Sequence, residues 1–355
     1  MDLGGVASTL TMQANERLIK HLKLDGGDAE VWKDWLVMRS IDSRIIKMLD
    51  VDFLHVGLNA PDNWVPKRWP DGRFTDEWGP VHKQVGDYAE LVAYPLSEAT
   101  VDDIERHQWP NPFDPGRSRG VKDKVRDLYE NTDYALATFD IGRLFEWCQW
   151  IRGMELFFMD LVNNQKFAIA LMDKVLDVQK GLLDVLLREV GQYIDVVCLG
   201  DDLGMQDRPL ISPHMYRNLI KPRHKELCGF VRERTDAKIY FHTDGAVFPL
   251  IQDLIDVGVE ILNPVQPLAE GMDRKRIKKE FGGSLSFWGG FDVQQAIRGT
   301  VKEVRDETKK VIKELGARGG LIFSPAHNFQ SVDPPENILA MYETAGDCGR
   351  YPLRV

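Results

Sequence analysis

The sequence predicts an α/β protein, a (β/α)8 TIM barrel whose C-terminal mouth is covered by an aromatic-rich insertion. Three features of the chain lead there. Short β-rich runs alternate with longer amphipathic stretches, the runs end in polar residues, and one Pro/Trp-rich stretch breaks the alternation. Strands alternating with helices imply parallel pairing through right-handed crossovers, and eight such strands close into a barrel. An open doubly wound sheet is the rival, but no GxGxxG or P-loop pattern follows any run. All of residues 1–355 are read as one barrel domain, a length that barrels with insertions reach.

In chain order, the opening Met1–Gly5 is read as a truncated or very early strand. A barrel ordinarily has residues before its first strand, so two readings stay open: a native chain that starts upstream, or a first strand only at Val51. Val51–Leu58 (VDFLHVGL) follows, then Tyr134–Asp140 (YALATFD), Ile194–Gly200 (IDVVCLG), Ala237–His242 (AKIYFH), Val259–Gln266 (VEILNPVQ), Leu285–Gly290 (LSFWGG) and Gly320–Ser324 (GLIFS). Helix-period segments lie between them at Asp173–Val190, Met215–Arg234, Val247–Val257 and Val301–Leu315. Asp333-Pro334-Pro335-Glu336 is read as a helix start, with Pro and an acidic residue in the first turn.

Residues 59–116 form the cap insertion, rich in Pro, Trp, Asp and Gly. Within it Arg73–Trp78 and Tyr88–Ala93 are expected to form a short antiparallel hairpin, with Asp71-Gly72 as a turn signal. Long loop insertions in barrels usually cover the site. Trp78, or a neighbouring aromatic, is therefore a candidate substrate contact, against the plainer reading that the aromatics only pack the cap down.

Composition narrows the function class. With 45 Lys and Arg against 55 Asp and Glu, the formal charge is −10, and no basic cluster offsets it. Such a surface repels nucleic acid and anionic membrane. No apolar run approaches the length of a membrane span, and no signal segment opens the chain. The four cysteines are scattered without a CxxC pair and read as free thiols of a reducing cytoplasm. A cytoplasmic enzyme of small molecules is expected, with a homodimer left open.

In a barrel, polar residues at the C-terminal strand ends make the site. Here these are Asp201 and Asp202 after VVCLG, His242 and Asp244 after KIYF, Asn263 and Gln266, Trp288, and His327 after IFSPA. His-x-Asp on a strand puts two side chains on one face. Imidazole and carboxylate both suit zinc, His327 could supply a third ligand, and three ligands with one open position is a catalytic zinc pattern. The competing reading is hydrogen-bonding or acid–base use of the histidines. Asp201 and Asp202 are candidate catalytic acids, although adjacent strand residues point oppositely, and a helix cap or salt bridge would explain one equally well. Asn263, Gln266 and Trp288 are candidate substrate contacts.

FHTDGAVFPLIQDLIDVGVEILNPVQP (Phe241–Pro267), SFWGGFDVQQ (Ser286–Gln295) and SPAHNFQSVDPPENI (Ser324–Ile338) together resemble the uroporphyrinogen decarboxylase superfamily. The match runs over most of residues 130–345, and DEWG (Asp76–Gly79) resembles the family's early hairpin. The resemblance implies the barrel independently of the strand count. The decarboxylases carry an FMRQAGRY-like, Arg-rich segment that grips porphyrinogen carboxylates; here Val37-Met38-Arg39-Ser40 is a poor substitute. A many-carboxylate substrate needs several fixed cations. The resemblance thus points to the corrinoid-dependent methyltransferases. Their thiol-methylating members hold zinc with His-x-Cys and a distant Cys, where this chain has His242, Asp244 and His327. Replacing thiolate by carboxylate and imidazole leaves a harder Lewis acid, suited to an ether or phenolate oxygen. The implied activity is O-demethylation of a methoxylated aromatic, the methyl group passing to cobalt(I) of a partner corrinoid protein. No DxHxxG cobalamin motif is present, so the corrinoid belongs to another chain. Two alternatives remain: a metal-free decarboxylase of a smaller substrate, and a corrinoid- or tetrapyrrole-binding protein without catalysis.

Overall fold

Seven parallel strands follow one another around a curled sheet in the computed structural model, which describes residues 1–5, 7–32, 37–139 and 141–353. In chain order the strands of the protein are β1 (Glu30–Trp32), β2 (Val37–Ser40), β3 (Phe53–Val56), β4 (Arg73–Thr75), β5 (Val81–Val85), β6 (Tyr88–Ala93), β7 (Ala135–Thr138), β8 (Val196–Gly200), β9 (Lys238–His242), β10 (Ile261–Asn263), β11 (Ser286–Phe291) and β12 (Leu321–Pro325). The curled sheet runs β3-β7-β8-β9-β10-β11-β12, and each neighbouring pair is parallel. Each expected run from Val51 onward thus coincides with a strand, most of them shorter than the run, while β11 and β12 reach one residue past theirs, to Phe291 and Pro325; Asp140, the last residue of one run, lies outside the described residues.

The eighth position is filled differently from the expectation. Met1–Gly5 is not a strand, but its backbone bridges the two sheet edges: Asp2 N–H donates to Phe323 O at 3.0 Å, and Asp52 N–H donates to Met1 O at 2.9 Å. Further contacts keep this segment in place. Asn328 Oδ1 accepts from Thr9 N–H at 2.9 Å, Tyr342 Oη donates to Asp2 O at 2.7 Å, and Leu10 bridges to Phe329. The barrel closes through a bonded stub without a full strand.

Strand parity divides the core. Ala137, Val196, Cys198, Tyr240, Ile261 and Trp288 form a small inner cluster, while Val197, Leu199, Ile239, Phe241 and Leu262 join the large outer core against the helices. The helices follow their apolar periods. Gln165–Val190 buries Leu171, Val175, Leu182, Leu183 and Leu186 on one face. Val301–Leu315 starts as expected, with Thr300 and Glu303 capping each other's backbone N–H. Pro335–Cys348 begins at the Pro-Pro-Glu signal. Met215–Arg234 is interrupted by a π-helical turn at Tyr216–Ile220 before Lys221–Arg232. Among the described residues no helix is long and apolar enough to cross a membrane, and all four cysteines are free and buried.

The cap departs from a simple hairpin. The expected strands at 73 and 88 do not pair with each other; each pairs with β5, giving an antiparallel sheet ordered β4-β5-β6. The Asp71-Gly72 turn exists, with Gly72 at φ +86°, but it folds residues 67–69 back antiparallel on β4, with Arg68 bridged to Phe74, and does not join β4 to β6. Trp78 is buried in the cap's base, stacked on Trp147 at 4.4 Å and edge-on to Trp109 at 6.1 Å. Trp69 stands between the Lys67 ammonium and the Arg73 guanidinium, 4.6 and 5.3 Å from its ring centre. Trp78 thus packs the cap against helix Phe145–Arg152.

Candidate functional site

Parity also brings the polar strand ends together. Val196, Cys198 and Tyr240 face the barrel interior, so two-residue steps along the same strands carry Gly200, Asp202, His242 and Asp244 inward. Asp202, His242 and Asp244 each offer a ligand atom, and these atoms lie within 4.8 Å of one another. His242 Nε2 is 3.6 Å from Asp202 Oδ1 and 3.7 Å from Asp244 Oδ2. His327 Nε2 comes to 3.9 Å from the same Asp244 oxygen. Asp202 therefore completes the tight trio where His327 was expected, and His327 stands beside it. The His242 side chain is 4% exposed, against 23% for Asp244, 35% for Asp202 and 38% for His327, so the group opens toward the mouth.

Asn263 sets the tautomer of His242. The two residues are register partners on adjacent strands. Asn263 Nδ2 donates to Trp288 O at 2.9 Å, which leaves its Oδ1 to accept from His242 Nδ1–H at 2.6 Å. The Nε2 lone pair then points at the two carboxylates, the orientation a metal ligand needs. Asn263 thus lies behind His242, and the indole of Trp288 lies inside the barrel, donating Nε1–H to Asp2 Oδ2 at 3.0 Å. Gln266 accepts from Gly245 N–H at 2.9 Å and so braces the loop after β9.

The loops after β8 and β9 meet backbone to backbone. A Cβ on Gly245, which has φ +87°, would lie 2.4 Å from the Gly204 carbonyl carbon. Only glycine suits that close approach and conformation. Asp244 N–H donates to Asp202 Oδ1 at 2.9 Å across the same junction, and Leu203 N–H donates to Thr243 Oγ1 at 3.0 Å. The two acids are fixed relative to each other by main chain.

Asp201 takes the opposite direction. It is fully buried and accepts from the backbone N–H groups of Leu144, Phe145 and Glu146 at 3.1, 2.8 and 2.9 Å, where helix Phe145–Arg152 begins. His224 Nε2 lies 2.8 Å from its Oδ2. It is a buried cap, not an acid at the mouth.

Electrostatics distinguish the two acids of the trio. Burial, then the Asp202 charge, push Asp244 up to about 7 against the pull of His242 and Arg143. For Asp202, burial acts upward too, but His242, Arg143, the Asp244 N–H and His327 outweigh it and hold the carboxyl below its ordinary value. Burial lowers His327, leaving it neutral near pH 7. Crowded acids beside oriented imidazole fit a divalent cation, which would relieve their repulsion. Arg143, paired with Glu146, is the fixed cation acting on the group, and it escaped the sequence reading although it follows a strand end. Tyr88 also escaped it. This first residue of β6 sets its ring edge-on to His327, with centroids 6.2 Å apart.

A family model described as uroporphyrinogen decarboxylase (URO-D) matches residues 88–347. Among curated proteins, none matches the chain in sequence. Among solved structures, a methyltransferase from Methanosarcina mazei superposes with a TM-score of 0.65 at 14% identity, over 97% of this chain and 93% of that one. Xylanase 10B from Thermotoga maritima reaches only 0.41 at 10% identity, over 67% of this chain and 83% of that one.

Proposed function

Since the chain belongs to the uroporphyrinogen decarboxylase (URO-D) family, we propose that it uses the family barrel for methyl transfer, moving a methyl group from a methoxylated aromatic to cobalt(I) of a corrinoid carried by a partner protein. The observation that carries this reading is the Asp202–His242–Asp244 trio, with His242 held by Asn263 so that Nε2 faces both acids. Two carboxylates at the mouth disfavour a many-carboxylate tetrapyrrole, and they favour a cation there. Asp202, His242 and Asp244 would hold zinc, with His327 beside them; the metal when bound would act as a Lewis acid toward the ether oxygen.

The remaining work falls to the chain itself. An aryl ether is a poor leaving group, so negative charge developing on its oxygen must be stabilised for cobalt(I) to displace it from the methyl carbon. Arg143 adds fixed positive potential over the acids. Tyr240 and Trp288 form an apolar inner wall, and the three-stranded cap would have to shield from water a nucleophile that water would protonate.

The test is anaerobic absorption spectroscopy of the zinc-loaded protein with cob(I)alamin and a panel of methoxyarenes. Methylcobalamin should appear with an equal amount of phenol. The family's decarboxylase chemistry is the second reading, and Arg143 is a cation that could hold a carboxylate. Turnover that releases CO2 and survives chelation, with no methyl transfer, would replace the proposal with that reading.

A further inference from the structure

The phenol of Tyr88 is unaccounted for by any fold requirement. It opens β6, directly after the turn at Gly86, which has φ +61°. The adjoining Asp87 pins this turn to the barrel. Its Oδ2 accepts from Ser331 N–H at 3.0 Å and Ser331 Oγ–H at 2.7 Å, and its Oδ1 accepts from Thr11 Oγ at 3.3 Å. Ser331 belongs to the loop that carries His327, so the turn is tied to the edge of the metal-ligating group. The Tyr88 ring stands edge-on to His327 at 6.2 Å and 73°. Its hydroxyl is buried and makes no hydrogen bond of ordinary geometry among the described residues. The Gln330 side chain, next to Ser331, acts on it as a hydrogen-bond partner, at a geometry short of an ordinary bond. A buried hydroxyl left without a well-formed hydrogen bond costs about 1–3 kcal/mol, so its retention beside the mouth asks for a ligand.

We propose that Tyr88 is a catalytic residue lent by the cap, its hydroxyl donating a hydrogen bond to the aryl oxygen of the substrate as the methyl group leaves. The inference rests on the methyl-transfer reading. In the step, the O–CH3 bond breaks with its electron pair going to the aryl oxygen. Cobalt(I) supplies the pair for the new Co–C bond and becomes cobalt(III). Tyr88 keeps its proton and donates through it, and the phenolate departs hydrogen-bonded. The cap would then be part of the chemistry as well as a cover, since the donor arrives only when the turn is seated on Asp87's partners.

The experiment compares Tyr88→Phe, which removes one oxygen, with the wild-type protein, both zinc-loaded and matched in metal content and melting temperature. Two readings are taken: methyl transfer to cob(I)alamin across ring-substituted methoxyarenes, and equilibrium binding of the corresponding phenols without corrinoid. A lost oxyanion donor typically costs about 100-fold or more in kcat. We expect a loss of that order with KM little changed, larger for poor leaving groups than for nitro-activated ones, and phenol binding weakened roughly tenfold. Transfer and phenol affinity within threefold of wild type would overturn the role of Tyr88 while leaving methyl transfer intact. A wild-type protein that neither transfers methyl groups nor binds phenols would overturn both.

Discussion

Removing the Asn263 side chain tests whether the trio is a metal site, because Asn263 touches no other member of it than His242. In Asn263→Ala, His242 Nδ1–H loses its acceptor at 2.6 Å and Trp288 O loses its donor at 2.9 Å. Without the first bond the imidazole can adopt the other tautomer, which puts a proton on Nε2 where the ligand lone pair was. Partners of this kind behind a metal ligand are typically worth 10–100-fold in affinity, about 1.4–2.7 kcal/mol. The orphaned carbonyl is a separate loss of about 1–3 kcal/mol from folding stability, because the site is buried. The assay is competition between the metal-free protein and a chelating dye for zinc, with urea unfolding run in parallel. Asn263→Asp serves as the internal control: it keeps the acceptor for His242 but not the donor to Trp288. It should therefore recover zinc affinity while remaining destabilised. If Asn263→Ala binds zinc as tightly as wild type, His242 is not a ligand oriented by Asn263, and the metal reading of the trio fails.

The other members of the group separate by position. His242→Ala and Asp202→Asn should each remove stoichiometric zinc from the folded protein, as read by elemental analysis, whereas His327→Ala should retain more metal than either, since His327 reaches only Asp244. The reverse order would make His327 a ligand in place of Asp202. Asp201→Ala should act on stability alone. It leaves three helix-start N–H groups and His224 without their acceptor, a loss of about 3 kcal/mol or more. It should lower the urea midpoint while zinc binding at low denaturant persists, and an unchanged midpoint would contradict the buried cap.

Much of the barrel is legible because its strands are buried on both faces and read as continuous apolar runs, as VVCLG and KIYFH do. The cap is less so. The middle strand β5, VHKQV, exposes Lys83, Gln84 and Val85 to solvent, so it has no apolar alternation to betray it, and the sequence pattern assigns the pairing to its flanks. The expected first strand is not one because its hydrogen bonds are few and one-sided at each residue, a property of closure that no local pattern records. Among site residues, His242 and Asp244 follow from period-two spacing. Arg143 is hidden because it lies five residues beyond the end of β7, past any period-two row, and Tyr88 because it reaches the mouth from the cap through tertiary contacts of Asp87.

The neighbouring acids Asp201 and Asp202 show where sequence reasoning stops and why. The run before them is apolar at every position, so alternation cannot say which of the two acids faces inward. The structure decides through size and pairing. Cys198 and Val196 fit the narrow interior, where Tyr240 and Trp288 already occupy much of the space, while Val197 and Leu199 pack outward on the helices. Asp201 continues the outward row, where the beginning of Phe145–Arg152 presents three N–H groups with no helical partner and therefore favours an anion. Asp202 continues the inward row and meets His242. One carboxylate thus secures the helix whose approach carries Arg143, and the next lies under the field of that same arginine. The cap on Asp201 and the electrostatics of Asp202 thus share residues 143–146, which carry the N–H groups that Asp201 accepts from and, after His242, the second of the charges that lower Asp202.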